Sequence, residues 1–318
     1  MTTQLSEFAR DTIKGLSASP KYLLPKYFYD DKGSRIFQDI MNMPEYYLTD
    51  SEMEIFQDQK QAIVTAISES NPDFDLIELG SGDGSKTKYL LEQLVSQSID
   101  FKFMPIDISA EANAGLVNEL SNELPNLNIE AKTGDYFQVL KELKQDSDKR
   151  KIIFFLGANI GNYSQQEAGQ FLDQLHSFTN PGDALLIGFD LKKEPSIILN
   201  AYDDPHGHTR NFNLNHLARI NNELDANFDF DGFQHHTTYD PLSGNIKSYL
   251  ISSMKQTVNL GITRESFQFQ AWEAIFMERS KKYDLQMIES LAENHGFSIK
   301  QNFLDSRQYF VDSLWINE

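Results

Sequence analysis

The chain of 318 residues has no cysteine and is poor in basic residues. Without cysteine it can form no disulfide bond and offers no thiolate as a metal ligand or nucleophile. Lysine and arginine total 28 against 47 aspartates and glutamates, so the formal charge is −19. Because an acidic surface of this kind repels phosphate backbones, we expect no nucleic-acid partner.

The sequence also lacks long hydrophobic runs. No apolar run approaches the roughly 18 residues of a membrane-spanning helix, and residues 1–10 contain no apolar segment of the signal-peptide type. These absences predict a soluble cytoplasmic protein with no membrane partner, and we expect a monomer. The seven histidines include two close pairs, at 206 and 208 and at 235 and 236, but no H-E-x-x-H pattern. Polar pairs without a patterned set of carboxylates predict no metal site.

The strongest motif is a glycine-rich turn, E-L-G-S-G-D-G-S-K at 78–86, which follows an apolar run over 74–79. Its alternating glycines permit positive φ and let a ligand lie against the backbone. The helix-like stretch that follows offers free N–H groups to an anionic ligand. The E-x-G-x-G-x-G spacing differs from the G-x-G-x-x-G of dinucleotide sites and favours S-adenosylmethionine (SAM). Lys86 adds a positive charge suited to the carboxylate of SAM. The alternative is that the glycine motif is only a structural turn between strand and helix.

Acidic residues end two further strand-like runs. Asp107 follows the run 101–106, where a carboxylate is placed to accept hydrogen bonds from ribose hydroxyls. The run 129–133 leads into Asp135, which suits the adenine amino group, and into Tyr136, whose ring can cover adenine. A helix cap is the alternative for either acid. Their order after the glycine turn strengthens the prediction of a SAM site.

Apolar strands alternate with helical stretches from about residue 61 to residue 194. The strands are predicted at 74–79, 101–106, 128–133, 151–156 and 183–189, and the helices at 86–97, 110–122, 137–143 and 164–179. This alternation predicts an α/β fold with a doubly wound, Rossmann-like sheet. Two runs at 297–303 and 309–315 predict a C-terminal antiparallel hairpin at its edge. Two further runs at 233–239 and 245–255, joined at 241–244, predict a strand pair outside this sheet. We expect a SAM-binding core of residues 61–194 and 284–318, and a smaller α+β substrate domain of residues 1–60 and 195–283.

Dense aromatic and polar motifs lie mostly outside this core. They are F-Y-D-x-x-G-S at 28–34, P-E-Y-Y-x-T at 44–49, L-G-x-x-I-G-N at 156–162, A-Y-D-D at 201–204 and E-x-S at 278–280. Taken singly, such tyrosines are more often packing residues than ligands. Together and in this order, the motifs resemble the histidine Nα-methyltransferase family of ergothioneine biosynthesis, which converts histidine into its trimethylated betaine, hercynine. The resemblance runs from about Tyr22 to the C-terminus.

The resemblance implies a SAM methyltransferase sheet and roles for individual residues. For the cofactor these are Gly80 and Lys86 in the SAM loop, Asp107 at the ribose, and Asp135 and Tyr136 at adenine. For the substrate they are Tyr46, Asn162 and Tyr202 at the amino and carboxylate groups, Tyr29 in the pocket, and Glu278 and Ser280 at the imidazole ring. Asn162 and Tyr46 are the implied catalytic pair.

These residue types suit methyl transfer to an amine. The reaction is an in-line displacement, so the protein mainly has to position a neutral amine, and it needs no covalent nucleophile. Asn162 can accept a hydrogen bond from the amine, while Glu278 accepting an imidazole N–H favours histidine. Two positions depart from the family pattern: Asn159 replaces a hydroxyl residue, and Ser248 replaces a bulkier methionine near the ring. A pocket enlarged at Ser248 leaves open another aromatic acceptor, such as a tryptophan derivative, and a SAM-binding regulatory protein without turnover is the third alternative.

Overall fold

The structure is a computed structural model that describes residues 5–69, 73–82, 84–146 and 149–318. The helices are α1 (Glu7–Ser17), α2 (Asp31–Met41), α3 (Tyr47–Asp58), α4 (Lys60–Ser68), α5 (Thr87–Ser96), α6 (Ala110–Glu123), α7 (Tyr136–Asp146), α8 (Gln165–Phe178), α9 (Pro195–Tyr202), α10 (His208–Leu224) and α11 (Leu285–Asn294). The strands are β1 (Lys21–Tyr22), β2 (Phe74–Leu79), β3 (Phe101–Asp107), β4 (Lys132–Thr133), β5 (Arg150–Phe155), β6 (Ala184–Asp190), β7 (Phe233–Asp240), β8 (Asn245–Ser252), β9 (Gln256–Leu260), β10 (Glu265–Phe269), β11 (Ala274–Lys281), β12 (Phe297–Leu304) and β13 (Phe310–Asn317).

The chain divides into two compact units. Unit 1 comprises residues 1–47 and 193–280, and unit 2 comprises residues 48–192 and 281–318. Sequence analysis divides the chain instead after residues 60, 194 and 283, and its assignment of cofactor and substrate to the two parts stays a prediction. Among the described residues, no helix is long and apolar enough to cross a membrane.

Unit 2 is built on a mostly parallel sheet with the strand order β12-β13-β6-β5-β2-β3-β4. Every residue of β2 is buried, and β2 pairs in parallel with β3 on one side and β5 on the other. β13 runs antiparallel to both β6 and β12, which confirms the predicted C-terminal hairpin at the sheet edge. The strand order reverses direction between β2 and β5, and in open α/β sheets ligands bind beside the carboxyl ends of such a pair.

The third predicted strand, at 128–133, is much shorter than expected. Sequence analysis predicts 128–133, whereas β4 contains Lys132 and Thr133 and is preceded by an isolated bridge between Phe103 and Ile129. The segment lies at the sheet edge, where only one side can pair, and most residues of 121–130 are exposed. Without apolar burial to hold it, the ladder is interrupted.

Unit 1 combines helices with a sheet of order β1-β11-β8-β7 and a ribbon of β9 and β10. The predicted strand pair at 233–239 and 245–255 is found as β7 and β8, which pair antiparallel from Phe233–Ser252 to Asp240–Asn245. β8 ends at Ser252, three residues before its predicted end. Sequence analysis did not predict β9, β10 or β11.

A buried histidine lies in the aromatic core of unit 1. His216 on α10 is 1% exposed, and its ring packs against Phe8, Tyr27 and Phe28 with centroids 5.3–6.2 Å apart. Neither ring nitrogen has a hydrogen-bond partner among the described residues. Burial, helped by the positive charge of Arg219 and opposed by Asp30, lowers the pKa of His216 to about 3. The imidazole is therefore neutral in the folded protein at physiological pH.

This burial predicts a pH-dependent loss of stability. The unfolded chain binds a proton at His216 below its ordinary pKa of 6.5, whereas the folded protein does not until about pH 3. Stability is therefore lost as the pH falls below about 6.5. Between pH 7.5 and pH 5 we expect the wild type to lose about 2 kcal/mol more free energy of unfolding than His216→Leu.

Denaturant unfolding at both pH values measures this difference. His236→Leu, at an exposed position of β7, is the matched control and should follow the wild type. Equal pH dependence in His216→Leu and the wild type would show that His216 is not held neutral by the fold.

Candidate active site

The glycine turn after β2 adopts the backbone conformation that its sequence suggests. Gly80, Gly82 and Gly84 have φ values of +73°, +55° and +68°. The Gly80 N–H donates to the Ile106 carbonyl at 2.9 Å, which joins the start of the turn to the end of β3. A Cβ on Gly80 would lie 2.7 Å from the Tyr136 hydroxyl. Glycine is therefore required at position 80 both by φ and by the close approach of Tyr136.

The predicted ribose and adenine residues lie at the carboxyl ends of neighbouring strands. Asp107 ends β3, and Asp135 directly precedes α7, which begins at Tyr136. Burial raises the pKa of Tyr136 to about 12, and the negative charge of Asp107 adds to the rise, with smaller contributions that include Asp135 and Glu78. The structure thus brings Gly80, Asp107, Asp135 and Tyr136 to one edge of the sheet, the edge formed by the carboxyl ends of its parallel strands.

Both acids also have structural roles. Asp107 Oδ1 accepts from the Ser109 N–H at 2.8 Å. Asp135 Oδ1 accepts from the N–H groups of Phe137 and Gln138 at 3.0 and 3.1 Å, so Asp135 caps α7 as the alternative interpretation held. Asp135 is nevertheless exposed, so its carboxylate is accessible to a ligand as well.

Sequence analysis missed Ile108, which follows Asp107. Its side chain is 84% exposed, unusual for an isoleucine, and offers an apolar surface beside the acid. Such a surface suits one face of a flat base, so we add Ile108 to the candidate cofactor residues. The available signal was a single apolar residue immediately beyond the end of an apolar strand.

The charged residues of the glycine turn are held by partners within unit 2. Glu78 is 3% exposed, and the Thr87 hydroxyl at the start of α5 donates to its Oε1 at 2.7 Å. Lys86 is paired with Glu52, a residue of α3 that sequence analysis did not single out. Burial alone would lower the pKa of Lys86, but the charge of Glu52 and its hydrogen bond, with weaker help from Asp312 and Glu78, raise that pKa. Lys86 is therefore a cation at this edge of the sheet.

Asn162 ends a 3-10 turn, Asn159–Asn162, that follows β5. The turn is entered through two left-handed residues, Gly157 at φ +73° and Ala158 at φ +55°. Asn162 is exposed, and its Nδ2 donates to Asn159 Oδ1 at a long 3.5 Å. Asn159 in turn donates from Nδ2 to the Leu156 carbonyl at 2.8 Å. The Asn162 amide thus has its Nδ2 on the side of Asn159 and its Oδ1 directed away from Asn159.

Within unit 1, the predicted substrate tyrosines form one aromatic group. The ring centroids of Tyr46 and Tyr202 are 6.4 Å apart, and Phe37 lies 6.3 Å from Tyr46 and 5.4 Å from Tyr29. Desolvation of its hydroxyl raises the pKa of Tyr29, and the nearby negative charge of Glu278 adds to the rise, with a smaller effect of Tyr202. The structure therefore brings together Tyr29, Tyr46, Tyr202 and Glu278, which come from three distant parts of the chain.

Tyr202 is fixed by strand β7. Its carbonyl accepts from the Thr237 hydroxyl and from His235 Nε2, each at 2.9 Å. Two residues later, Asp204 accepts from the N–H groups of His208 and Thr209 at 2.9 and 2.8 Å. In the A-Y-D-D motif, Asp204 therefore caps α10, while Tyr202 belongs to the aromatic group.

Glu278 and Ser280 lie near the end of β11. Partly exposed and buried residues alternate from Ala274 to Met277. Two partly exposed residues, Glu278 and Arg279, then follow each other before the buried Ser280. Ser248 on the adjacent β8 is 1% exposed, and its hydroxyl has no hydrogen-bond partner among the residues that the structure describes. A small, buried and polar side chain thus replaces the methionine expected at position 248.

The predicted site residues are distributed over both units. Unit 1 contains Tyr29, Tyr46, Tyr202, Glu278 and Ser280, and unit 2 contains Gly80, Lys86, Asp107, Asp135, Tyr136 and Asn162. Within the described ranges, no three histidine, aspartate or glutamate side chains are grouped so as to hold a metal ion.

Comparison with known proteins identifies related chains. A family model described as "Histidine-specific methyltransferase, SAM-dependent" matches residues 8–317. A histidine N-alpha-methyltransferase of Mycobacterium tuberculosis is 37% identical over 279 residues, which cover 88% of this chain and 85% of that protein. Ergothioneine biosynthesis protein 1 of Schizosaccharomyces pombe is 31% identical over 282 residues, or 86% of this chain and 36% of that protein. A 4-dimethylallyltryptophan N-methyltransferase of Claviceps purpurea is 29% identical over 199 residues, or 60% of this chain and 57% of that protein. The family model confirms the resemblance drawn from the motifs.

The close approach of Tyr136 to Gly80 predicts that Gly80→Ala impairs binding at this edge of the sheet. The added methyl group would lie 2.7 Å from the Tyr136 hydroxyl. An alanine in this left-handed backbone conformation also costs about 1–2 kcal/mol. We expect the Kd of S-adenosylhomocysteine, measured by calorimetry, to rise at least about tenfold.

Gly82→Ala is the matched control, because its φ is also positive but no atom lies within 4 Å of its added Cβ. Gly80→Ala/Tyr136→Phe should recover part of the affinity, since it removes the hydroxyl that clashes. Equal affinities of Gly80→Ala and Gly82→Ala would contradict the steric argument.

Proposed function

Since the chain belongs to the family of SAM-dependent, histidine-specific methyltransferases, we propose that it methylates the α-amino group of L-histidine three times and forms hercynine. This is a step of ergothioneine biosynthesis. The observation that carries the proposal is the aromatic group of Tyr29, Tyr46 and Tyr202 beside Glu278, in a chain matched by the family model over residues 8–317.

The residues at the edge of the unit 2 sheet fit SAM. The glycine turn opens next to the first turn of α5, Lys86 supplies a positive charge, and Asp107 and Asp135 supply hydrogen-bond acceptors. When bound, SAM supplies an electrophilic methyl group on a sulfonium. The chain contributes position: an accelerated displacement requires the acceptor amine to be held in line with that methyl group.

We expect Asn162 to orient the amine. Because its Nδ2 is directed to Asn159, its Oδ1 remains to accept a hydrogen bond from a neutral amino group. That bond would turn the nitrogen lone pair away from Asn162 and leave it available to the methyl group that bound SAM supplies. An amide oxygen does this without a full negative charge, which would favour the unreactive ammonium form.

The aromatic group suits an amino-acid substrate at every stage of methylation. Tyrosine hydroxyls donate to a carboxylate or accept from an amine. As methyl groups accumulate, the aromatic faces of Tyr46 and Tyr202 stabilise the growing quaternary cation. Glu278 accepts an imidazole N–H and thereby selects histidine, because a substrate without that donor cannot form the bond.

Ser248 favours a second candidate substrate class, another aromatic amino acid. A serine there leaves more room for a ring than a methionine does, and a relative at 29% identity is named for methylating a tryptophan derivative. Glu278 and Ser280 nevertheless match the histidine motif, so histidine stays the first choice.

Incubation of the protein with SAM and a panel of free amino acids tests the proposal. We expect histidine to gain up to three methyl units in the mass spectrum, and tryptophan derivatives to gain none or to react far more slowly. Methylation of a tryptophan derivative alone would favour the second candidate. No methylation of any amino acid, with SAM bound, would favour a regulatory protein.

Replacing the proposed ring contact should affect only one substrate. For Glu278→Gln we expect the KM for histidine to rise about tenfold to a hundredfold, the scale of a lost hydrogen bond to a charged group, with the Kd of S-adenosylhomocysteine unchanged. Glu265→Gln on the exposed face of β10 is the control and should match the wild type. If Glu278→Gln weakened the binding of histidine and of S-adenosylhomocysteine equally, Glu278 would not be the ring contact.

A further inference from the structure

Three ionisable side chains from distant parts of unit 2, Glu52, Lys86 and Asp312, interact with one another. Glu52 on α3 uses both carboxylate oxygens: Lys86 Nζ pairs with Oε2, and the Gly157 N–H donates to Oε1 at 2.6 Å. The carboxyl group of Asp312 on β13 interacts electrostatically with both Glu52 and Lys86. Glu52 is 1% exposed and Asp312 0%, whereas the Lys86 side chain is 25% exposed.

The backbone is shaped to admit the Glu52 carboxylate. A Cβ on Gly188 of β6 would lie 2.5 Å from Glu52 Oε1, so a side chain there would displace it. Gly188 is also the cross-strand partner of Asp312. On the other side, a Cβ on Gly157 would lie 3.8 Å from Lys86 Nζ. Gly157 and Gly188 therefore both lie next to the ion pair.

The two acids of the cluster are not equivalent. Burial, with a further contribution from the charge of Glu52 and against that of Lys86, raises the pKa of Asp312 well above its usual range. Neither oxygen of Asp312 has a hydrogen-bond partner among the described residues, as a buried carboxylate would require. The cluster is therefore one ion pair, between Glu52 and Lys86, next to an acid whose neutral form is favoured by burial.

Glu52 connects the two loops that leave adjacent parallel strands. Lys86 belongs to the glycine turn after β2, and Gly157 begins the turn after β5 that carries Asn162. A free lysine side chain has many rotamers, and a fixed carboxylate removes that entropy cost before a ligand arrives. The bond to the Gly157 N–H likewise supports the left-handed residues Gly157 and Ala158.

We propose that Glu52 is a positioning residue for the methyl donor: its two oxygens fix Lys86 and the Asn162 turn at the spacing that donor binding and methyl transfer require. The inference rests on the proposed function for the reaction it serves. It concerns donor binding, however, and is testable without histidine.

Glu52→Gln is the central variant. The amide still accepts from the Gly157 N–H but presents no charge to Lys86. In metal sites, removing a group that orients a ligand costs about 10- to 100-fold in affinity, and we expect the Kd of S-adenosylhomocysteine to rise about tenfold. The matched control is Glu54→Gln on the same helix, where the carboxylate accepts from the Ser306 N–H at 2.6 Å. Asp312→Asn should weaken binding less than Glu52→Gln, because an amide resembles a neutral acid.

A double-mutant cycle distinguishes positioning from general structural support. If Glu52 acts through Lys86, the double variant Glu52→Gln/Lys86→Met should have a Kd for S-adenosylhomocysteine within about twofold of that of Lys86→Met alone. Full multiplication of the two effects would overturn the proposal, as would wild-type affinity in Glu52→Gln. Should Glu52→Gln not fold, Glu52→Asp takes its place: a shorter carboxylate reaches one partner only, so wild-type affinity there would also overturn the proposal.

The wild type separates this test from that of the proposed function. A wild type that binds S-adenosylhomocysteine but methylates no amino acid would contradict the function and leave the Glu52 comparison intact. A wild type that methylates histidine with no donor-binding defect in Glu52→Gln would contradict the role of Glu52 alone.

Discussion

The parallel pairing of β2 with β5 is the constraint on which the rest of unit 2 depends. Both strands are buried over nearly their whole length, and their carboxyl ends release the glycine turn and the Asn162 turn side by side. Each turn leaves its strand through left-handed residues, and the Glu52 carboxylate bridges them. The chemistry expected of the two turns follows from that adjacency, since a donor at one and an orienting amide at the other require a fixed separation.

Much of unit 2 could be predicted because its signals are local. The continuous apolar run of β2, the glycines after it and the alternation of strands with helices are all visible within short windows of sequence. β4 was the exception, since an edge strand with few buried residues depends on its neighbour more than on its own sequence.

Glu52 could not be found in this way. It contacts residues 34 and 105 positions away, and within α3 it looks like one more acid on a solvated helix face. Asp312 and Ile108 likewise become informative only through burial or exposure, which the fold decides. In unit 1, the tyrosines of the aromatic group come from segments around 29, 46 and 202, and only the resemblance to a family connected them in advance. Local patterns there favour packing for the tyrosines, and they do not indicate that Asp204 caps α10.

The central claim is that this chain directs methyl groups to the α-nitrogen of histidine and holds the ring only for recognition. Nuclear magnetic resonance of the product formed from L-histidine and methyl-labelled SAM tests it most directly. We expect three equivalent methyl groups on the α-nitrogen and unmodified ring nitrogens. Label on a ring nitrogen, or a product with no label at the α-nitrogen, would contradict it.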